Sequence, residues 1–216
     1  MKKIILTLVF MLFATRVYAG EINFLSAEDS FLKLKQGNEH FVQMHLKHPH
    51  TTKQRRTELT KAQHPFAVIL TCSDSRVPAE LIFDQGLGDI FVIKNAGNVL
   101  DEHVVGSIEY AVEHLGVKLI VIMGHESCGA VGATIQDTKG SQYIESIKKS
   151  ICPALIEAKK ENNASAENVS KINAKLGVEN VLKLSQEMQE ATCKNCVKII
   201  PAYYHLDSGR VEFLNN

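Results

Sequence analysis

Three uninterrupted apolar runs constrain this chain more than any other feature: Phe66 to Thr71, Asp89 to Ile93 and Lys118 to Met123. A strand with one face in water alternates apolar and polar residues. Short runs without alternation, rich in Val and Ile, belong to strands covered on both faces of a parallel sheet. Between the runs lie Pro78 to Phe83 and Asp101 to Leu115, the second carrying Val104, Val105, Ile108, Ala111, Val112 and Leu115 at helical spacing. Strands alternating with helices predict an α/β fold, a mostly parallel central β-sheet flanked by helices and joined by right-handed crossovers. In such sheets ligands bind beyond the carboxyl ends of the strands.

Downstream, Ala130 to Gln136, Tyr143 to Lys160 and Val178 to Glu190 read as helices, with the polar link Glu161 to Ser165 between two of them. Val197 to Ile200, Ala202 to Leu206 and Arg210 to Leu214, around Asp207-Ser208-Gly209, predict a closing hairpin. Upstream, Ser26 with Asp29 has the form of a capping box before a helix whose apolar positions are Phe31, Leu32, Leu34, Phe41 and Val42. Nothing next to it in sequence covers that helix, so it packs on the sheet or lies on a neighbouring subunit; we expect an arm on a dimer partner. His45 to His64, polar and basic, reads as a loop with a short exposed helix.

The first residues follow another logic. Lys2-Lys3, the apolar run Ile4 to Phe13 and Val17-Tyr18-Ala19 before Gly20 have the three regions of a secretory signal, with an apolar run too short to span a bilayer. The expectation is a signal peptide over 1–19, cleavage after Ala19, and one domain over 20–216 working in the periplasm or outside the cell. The 24 Lys and Arg balance the 24 Asp and Glu, which leaves no charge argument for nucleic acid or an anionic membrane. Export favours disulfides, so among Cys152, Cys193 and Cys196 we expect one disulfide and one free thiol.

Cys72 and Cys128 have a different use. Cys72 follows the first apolar run, and Gly124-His125-Glu126-Ser127-Cys128-Gly129 follows the third, so two strand ends present two thiols and an imidazole. Zinc favours these ligands, and a set of three leaves a fourth position for water. Asp74 and Arg76, two residues apart beside Cys72, can form a bidentate pair in which the carboxylate orients that water. Taken residue by residue, buried apolar cysteines, a core histidine and a loop salt bridge explain the same positions.

The motifs are more specific than the residues. Cys72 to Glu80, Cys-Ser-Asp-Ser-Arg-Val-Pro-Ala-Glu, and Gly124 to Ala130, Gly-His-Glu-Ser-Cys-Gly-Ala, resemble the β-class carbonic anhydrases, as do Gly37 to Phe41 and Lys94 to Asn98. The resemblance runs from about Phe24 to the last strand. It implies reversible hydration of carbon dioxide to bicarbonate and a proton on one Zn2+ per chain. Carried over by position, Cys72, His125 and Cys128 are the metal ligands and Asp74 and Arg76 the catalytic pair. The Gly129 amide and the Gln63 side chain position substrate, and Phe91, Ala96 and Tyr110 form an apolar lining drawn from across the interface of a homodimer or a tetramer of dimers.

Some members of the family carry an inhibitory bicarbonate site built on a tryptophan and an arginine; the corresponding positions here are Ile69 and Lys94. The chain therefore resembles the open, plant-like type, without shutdown by bicarbonate in mild acid. His40, His45, His48, His50 and His64 are proton-shuttle candidates by sequence proximity alone. Two alternatives stand beside hydration: hydrolysis of carbon disulfide or carbonyl sulfide on the same scaffold, and a non-enzymatic zinc-binding or thiol-redox protein.

Overall fold

The computed structural model describes residues 24–194 and 196–215; the expected signal peptide lies outside the described residues. In chain order the helices are α1 (Ala27–Val42), α2 (Lys53–Glu58), α3 (Ala79–Ile82), α4 (Glu102–Glu113), α5 (Gly129–Ile135), α6 (Gln142–Lys160), α7 (Ala166–Leu184) and α8 (Gln186–Cys193). The strands are β1 (Ala67–Cys72), β2 (Ile90–Asn95), β3 (Leu119–His125), β4 (Lys198–Tyr204) and β5 (Val211–Phe213). They form one sheet in the order β2-β1-β3-β4-β5, parallel except for the last pair.

Every residue of β1 and β3 is buried, as uninterrupted apolar runs require of central strands. Their alternating side chains fill two layers. On one face Ala67, Ile69, Leu119, Val121 and Met123 pack against Leu34 of α1 and Ile82 and Phe83 around α3. On the other, Val68, Leu70, Ile120 and Ile122 meet α4 through Ile108 and α7 through Val178 and Val181. The chain leaves β1 towards β2 on one side and returns to β3 on the other. The carboxyl ends of β1 and β3 therefore flank the point where strand order reverses, the crevice that open α/β sheets use for ligands.

One expectation needs correction, while helix α1, capped by Ser26 as anticipated, is also anchored on its own domain. Asn38 donates to the carbonyls of Ile82 and Gly209 and accepts from the amide of Val211, and Gly37 sits so close to Phe83 that a Cβ there would lie 1.8 Å from its carbonyl oxygen. The predicted helix over 178–190 is two helices. The first begins at Ala166, capped by Ser165, and the chain breaks at Ser185, whose hydroxyl caps the second. The start of α7 escapes periodicity because its buried face carries Ser170, Asn173 and Gly177 among its apolar residues.

Candidate metal centre

The register of the two central strands builds the centre. Thr71 of β1 pairs with Met123 of β3, so Cys72 at the end of β1 lies level with Gly124, one residue short of His125. After β3 the chain turns through Ser127, held at φ 54, and places Cys128 immediately before α5. Left-handed backbone in a residue other than glycine is uncommon and needs support. The Ser127 carbonyl supplies some by accepting from Arg76 Nη2 at 3.2 Å.

One ligand atom from each of Cys72, His125 and Cys128 falls within 4.8 Å of the others, and all three residues are buried. The sulfurs are 4.0 Å apart. That is about twice a disulfide bond of ~2.05 Å, and close to the ~3.8 Å that two ~2.3 Å metal–sulfur bonds subtend at a tetrahedral ion. His125 Nδ1 lies 2.8 Å from the carbonyl oxygen of Glu126, which can only accept. The ring proton is therefore on Nδ1, and the Nε2 lone pair is buried with no protein partner. A buried orphan acceptor beside two thiols fits a metal ion. Glu126 is itself fixed, its amide on the Tyr204 carbonyl and its carboxylate on the Leu206 amide.

The thiols share charge unequally. The bond with Cys128, helped by the Gly97 amide, outweighs burial and brings the Cys72 thiol down to about 4. The same Cys128–Cys72 contact, with burial, pushes Cys128 up.

Asp74 and Arg76 form the expected pair. Arg76 Nε and its amide both donate to Asp74 Oδ1 at 2.9 Å, and Nη2 donates to Oδ2 at 2.8 Å. These bonds, the side-chain ones first, hold the carboxyl far below the usual carboxylate range. Lys94 adds a tether that sequence reading missed: Nζ donates to the Val77 carbonyl at 2.9 Å and to that of Asp74 at 3.4 Å. Ile69 is fully buried in the core.

The remaining predicted residues divide. The space above Gly129 is open, since a Cβ built there meets nothing within 4 Å. Ala96 immediately precedes Gly97, whose amide reaches Cys72. Gln63 and Tyr110 line a different region, an open groove of about 630 Å3 shared with Phe24, His64 and His114. Phe91 stacks beside Tyr110 at 6.4 Å. Phe91 pairs with Val68, four residues before Cys72, so it lies about 13 Å back along the strand from the ligands. His40 and His50 are bound to Asp84 and Asp89, while His64 stands exposed beside Gln63.

All five cysteines are free, so the disulfide expected among Cys152, Cys193 and Cys196 is not formed. Cys152 projects from α6 into a cleft with Thr134 and Lys148, while Cys193 ends α8. Sequence reading also missed Ser170 and Asn173 of α7, which bond backbone beside the ligands.

Comparison with known proteins decides the family. The carbonic anhydrase family profile matches residues 67–211. A carbonic anhydrase of Mycolicibacterium smegmatis is 42% identical over 186 residues, covering 83% of this chain and 89% of that protein. The chain belongs to the β-carbonic anhydrase family. Carbonic anhydrase 2 of Mycobacterium tuberculosis is 39% identical over 181 residues, covering 82% of this chain and 87% of its own length. Among solved structures, the β-carbonic anhydrase CafA of Aspergillus fumigatus superposes with a TM-score of 0.69 at 26% identity, over 87% of this chain and 90% of that one. A tetrameric β-carbonic anhydrase of Sordaria macrospora, at 24% identity and a TM-score of 0.70 over 88% of this chain and 98% of that one, shares the fold. Zinc is the metal of this family, and the Cys72, His125 and Cys128 cluster of this β-carbonic anhydrase suits it.

Proposed function

We propose that this chain catalyses the reversible hydration of carbon dioxide to bicarbonate and a proton, with Cys72, His125 and Cys128 holding one Zn2+. The observation that carries the reading is the convergence of these three ligand atoms beside an Asp74 carboxylate clamped by Arg76, in a member of the β-carbonic anhydrase family. When bound, zinc supplies the Lewis acidity that makes water nucleophilic near neutral pH.

Asp74 orients that water. Its Oδ1 already accepts two N–H groups, whereas Oδ2 accepts one, so Oδ2 keeps an acceptor site for a water proton. Because Arg76 holds the carboxyl far below its ordinary range, Asp74 stays ionised and acts as an acceptor, not as the base that removes the proton. The Gly129 amide, in the first turn of α5 where no helical partner is available to it, serves in this reading as donor to a developing bicarbonate oxygen.

The apolar half of the pocket comes from a second copy. Tyr110 and Gln63 line a groove away from their own ligands, with Phe91 beside Tyr110, which suits them to a partner's centre in a homodimer or a tetramer of dimers. The Sordaria macrospora enzyme that shares this fold is tetrameric. Ile69 and the Lys94 tether favour a loop that stays open; Asp74 found on the metal in mild acid, with Arg76 released, would overturn this.

Export completes the reading, with residues 1–19 removed and residues 20–216 acting in the periplasm. Finding Met1 or any start other than Gly20 on the protein from a periplasmic extract would refute it. The deciding experiment is stopped-flow carbon dioxide hydration by the zinc-loaded mature protein beside Cys72→Ser, with zinc quantified in both. We expect one zinc per wild-type chain with rapid hydration, and loss of both in the variant. One zinc per wild-type chain without hydration would refute the reading.

A further inference from the structure

We propose that Asn173 is a positioning residue for the metal centre, acting through the backbone of Gly97 to set the hydrogen bond that Cys72 Sγ receives. The proposal rests on the reading of Cys72 as a ligand. Helix α7 crosses behind the centre and presents Ser170 and Asn173, three residues apart and so on one face, both buried. Ser170 Oγ donates to the carbonyl of His125 at 3.3 Å, and Asn173 Nδ2 donates to the carbonyl of Gly97 at 3.0 Å. Gly97 in turn donates its amide to Cys72 Sγ at 3.3 Å. One helix therefore holds backbone next to two of the three ligands.

The turn that Asn173 holds does not rest in a relaxed conformation. Gly97 and Asn98 are both left-handed, at φ 74 and 43, and Asn98 is buried with its Nδ2 unpartnered. The Asn95 side chain clasps the ends of the turn by bonding the amide and carbonyl of Val99. Its middle is held by Asn173 and by packing so close that a Cβ on Gly97 would lie 2.8 Å from Ile151 Cδ1 and 3.1 Å from Ala130 Cβ. Packing sets the position of the turn, whereas the Asn173 bond fixes the peptide plane that follows Gly97 and, across the Gly97 Cα, restrains the preceding plane whose amide reaches sulfur.

An N–H group on a ligating thiolate holds the sulfur in place before the metal arrives, which raises affinity, and it draws charge from the sulfur, which leaves the bound metal more electrophilic. Outer bonds of this kind are worth about 10–100-fold in metal affinity or activity. Asn173 thereby tunes both how tightly the centre holds its metal and how acidic it makes water.

The test uses full-length mature protein carrying Asn173→Leu or Asn173→Ala. Asn180→Ala, two turns further along α7 in the same polar pocket of about 170 Å3, is the control. Chelator competition should show metal affinity reduced about 10–100-fold in the Asn173 variants and unchanged in the control. With cobalt in place of zinc, the sulfur-to-metal charge-transfer band should move to longer wavelength, and the alkaline rise of hydration should move to higher pH. Folded Asn173 variants with unaltered affinity and an unmoved band would overturn the proposal. If neither variant folds, the wild-type protein loaded with cadmium-113 decides: scalar coupling between the metal and the Gly97 amide is expected, and its absence would overturn the proposal. Affinity, band position and coupling are read whether or not the protein hydrates carbon dioxide, so a wild-type protein without activity would refute the function and leave this inference standing.

Discussion

The carboxyl end of the sheet and the groove beside β2 are built from the same fold and differ in completeness. At the carboxyl end, ligands, the Asp74–Arg76 pair and the supports from α7 all come from one chain and satisfy one another, apart from the His125 nitrogen that faces the metal position. In the groove, Gln63 and Tyr110 stand exposed, away from the ligands of their own chain. The contrast teaches that the three ligands meet within a single chain, whereas the proposed apolar pocket draws on a second copy. The loop carrying Gln63 is accordingly strapped down from within. His50 Nδ1 and Arg55 reach Asp89, while the amides of Lys47 and His48, with His40, reach Asp84.

The largest effect is expected at the carboxyl end of the sheet. Asp74→Asn should retain one zinc per chain and lower kcat/KM by about 100-fold or more, the usual effect of removing a preorganised polar group from a reaction centre. Metal analysis beside stopped-flow kinetics checks it, and unchanged kcat/KM would remove Asp74 from the mechanism.

A smaller effect tests the incomplete end. Gln63→Ala should reduce kcat/KM by about 10-fold, in proportion to one hydrogen bond of roughly 1.4 kcal/mol. Co-expressed with Cys72→Ser, it should recover activity in mixed dimers, because one of the two sites then combines an intact ligand set with an intact Gln63. Mixed dimers no more active than the parent variants would mean that Gln63 serves its own chain or none.

The smallest effect concerns the strap. Burial raises the Asp84 carboxyl, but the Lys47 and His48 amides and the His40 bond overcome it and leave it below the usual carboxylate range. A carboxylate lowered in the folded state stabilises above the unfolded value of about 3.9, and that contribution is lost as pH falls towards the folded one. Asp84→Asn should therefore cost about 1–3 kcal/mol in urea unfolding at pH 7, and the gap to wild type should narrow below about pH 4. A gap independent of pH would show that Asp84 acts without its charge.

The parts of this architecture legible in sequence are those set by local chemistry. Uninterrupted apolar runs marked β1, β2 and β3 because a strand covered on both faces has no use for polar residues, and Ser26 marked the start of α1 because an N-cap needs only its own turn. Cys72, Asp74 and Arg76 were legible because bidentate pairing beside a thiol lies within one loop. The start of α7 was not, since Ser170 and Asn173 look like exposed positions until the backbone they bond is in place. The disulfide misled because compartment sets the chemistry that is possible, and only the fold sets which thiols meet.

By itself, then, the sequence determined the strand content, the α/β class and the chemical types at the site, because periodicity and motif act over a few residues. Tertiary structure decided three things: that Cys72 and His125 meet at the switch between β1 and β3, that α1 seals its own sheet, and that α7 braces the metal position. Each depends on backbone groups far apart in sequence, and a hydrogen bond between them has no local signature.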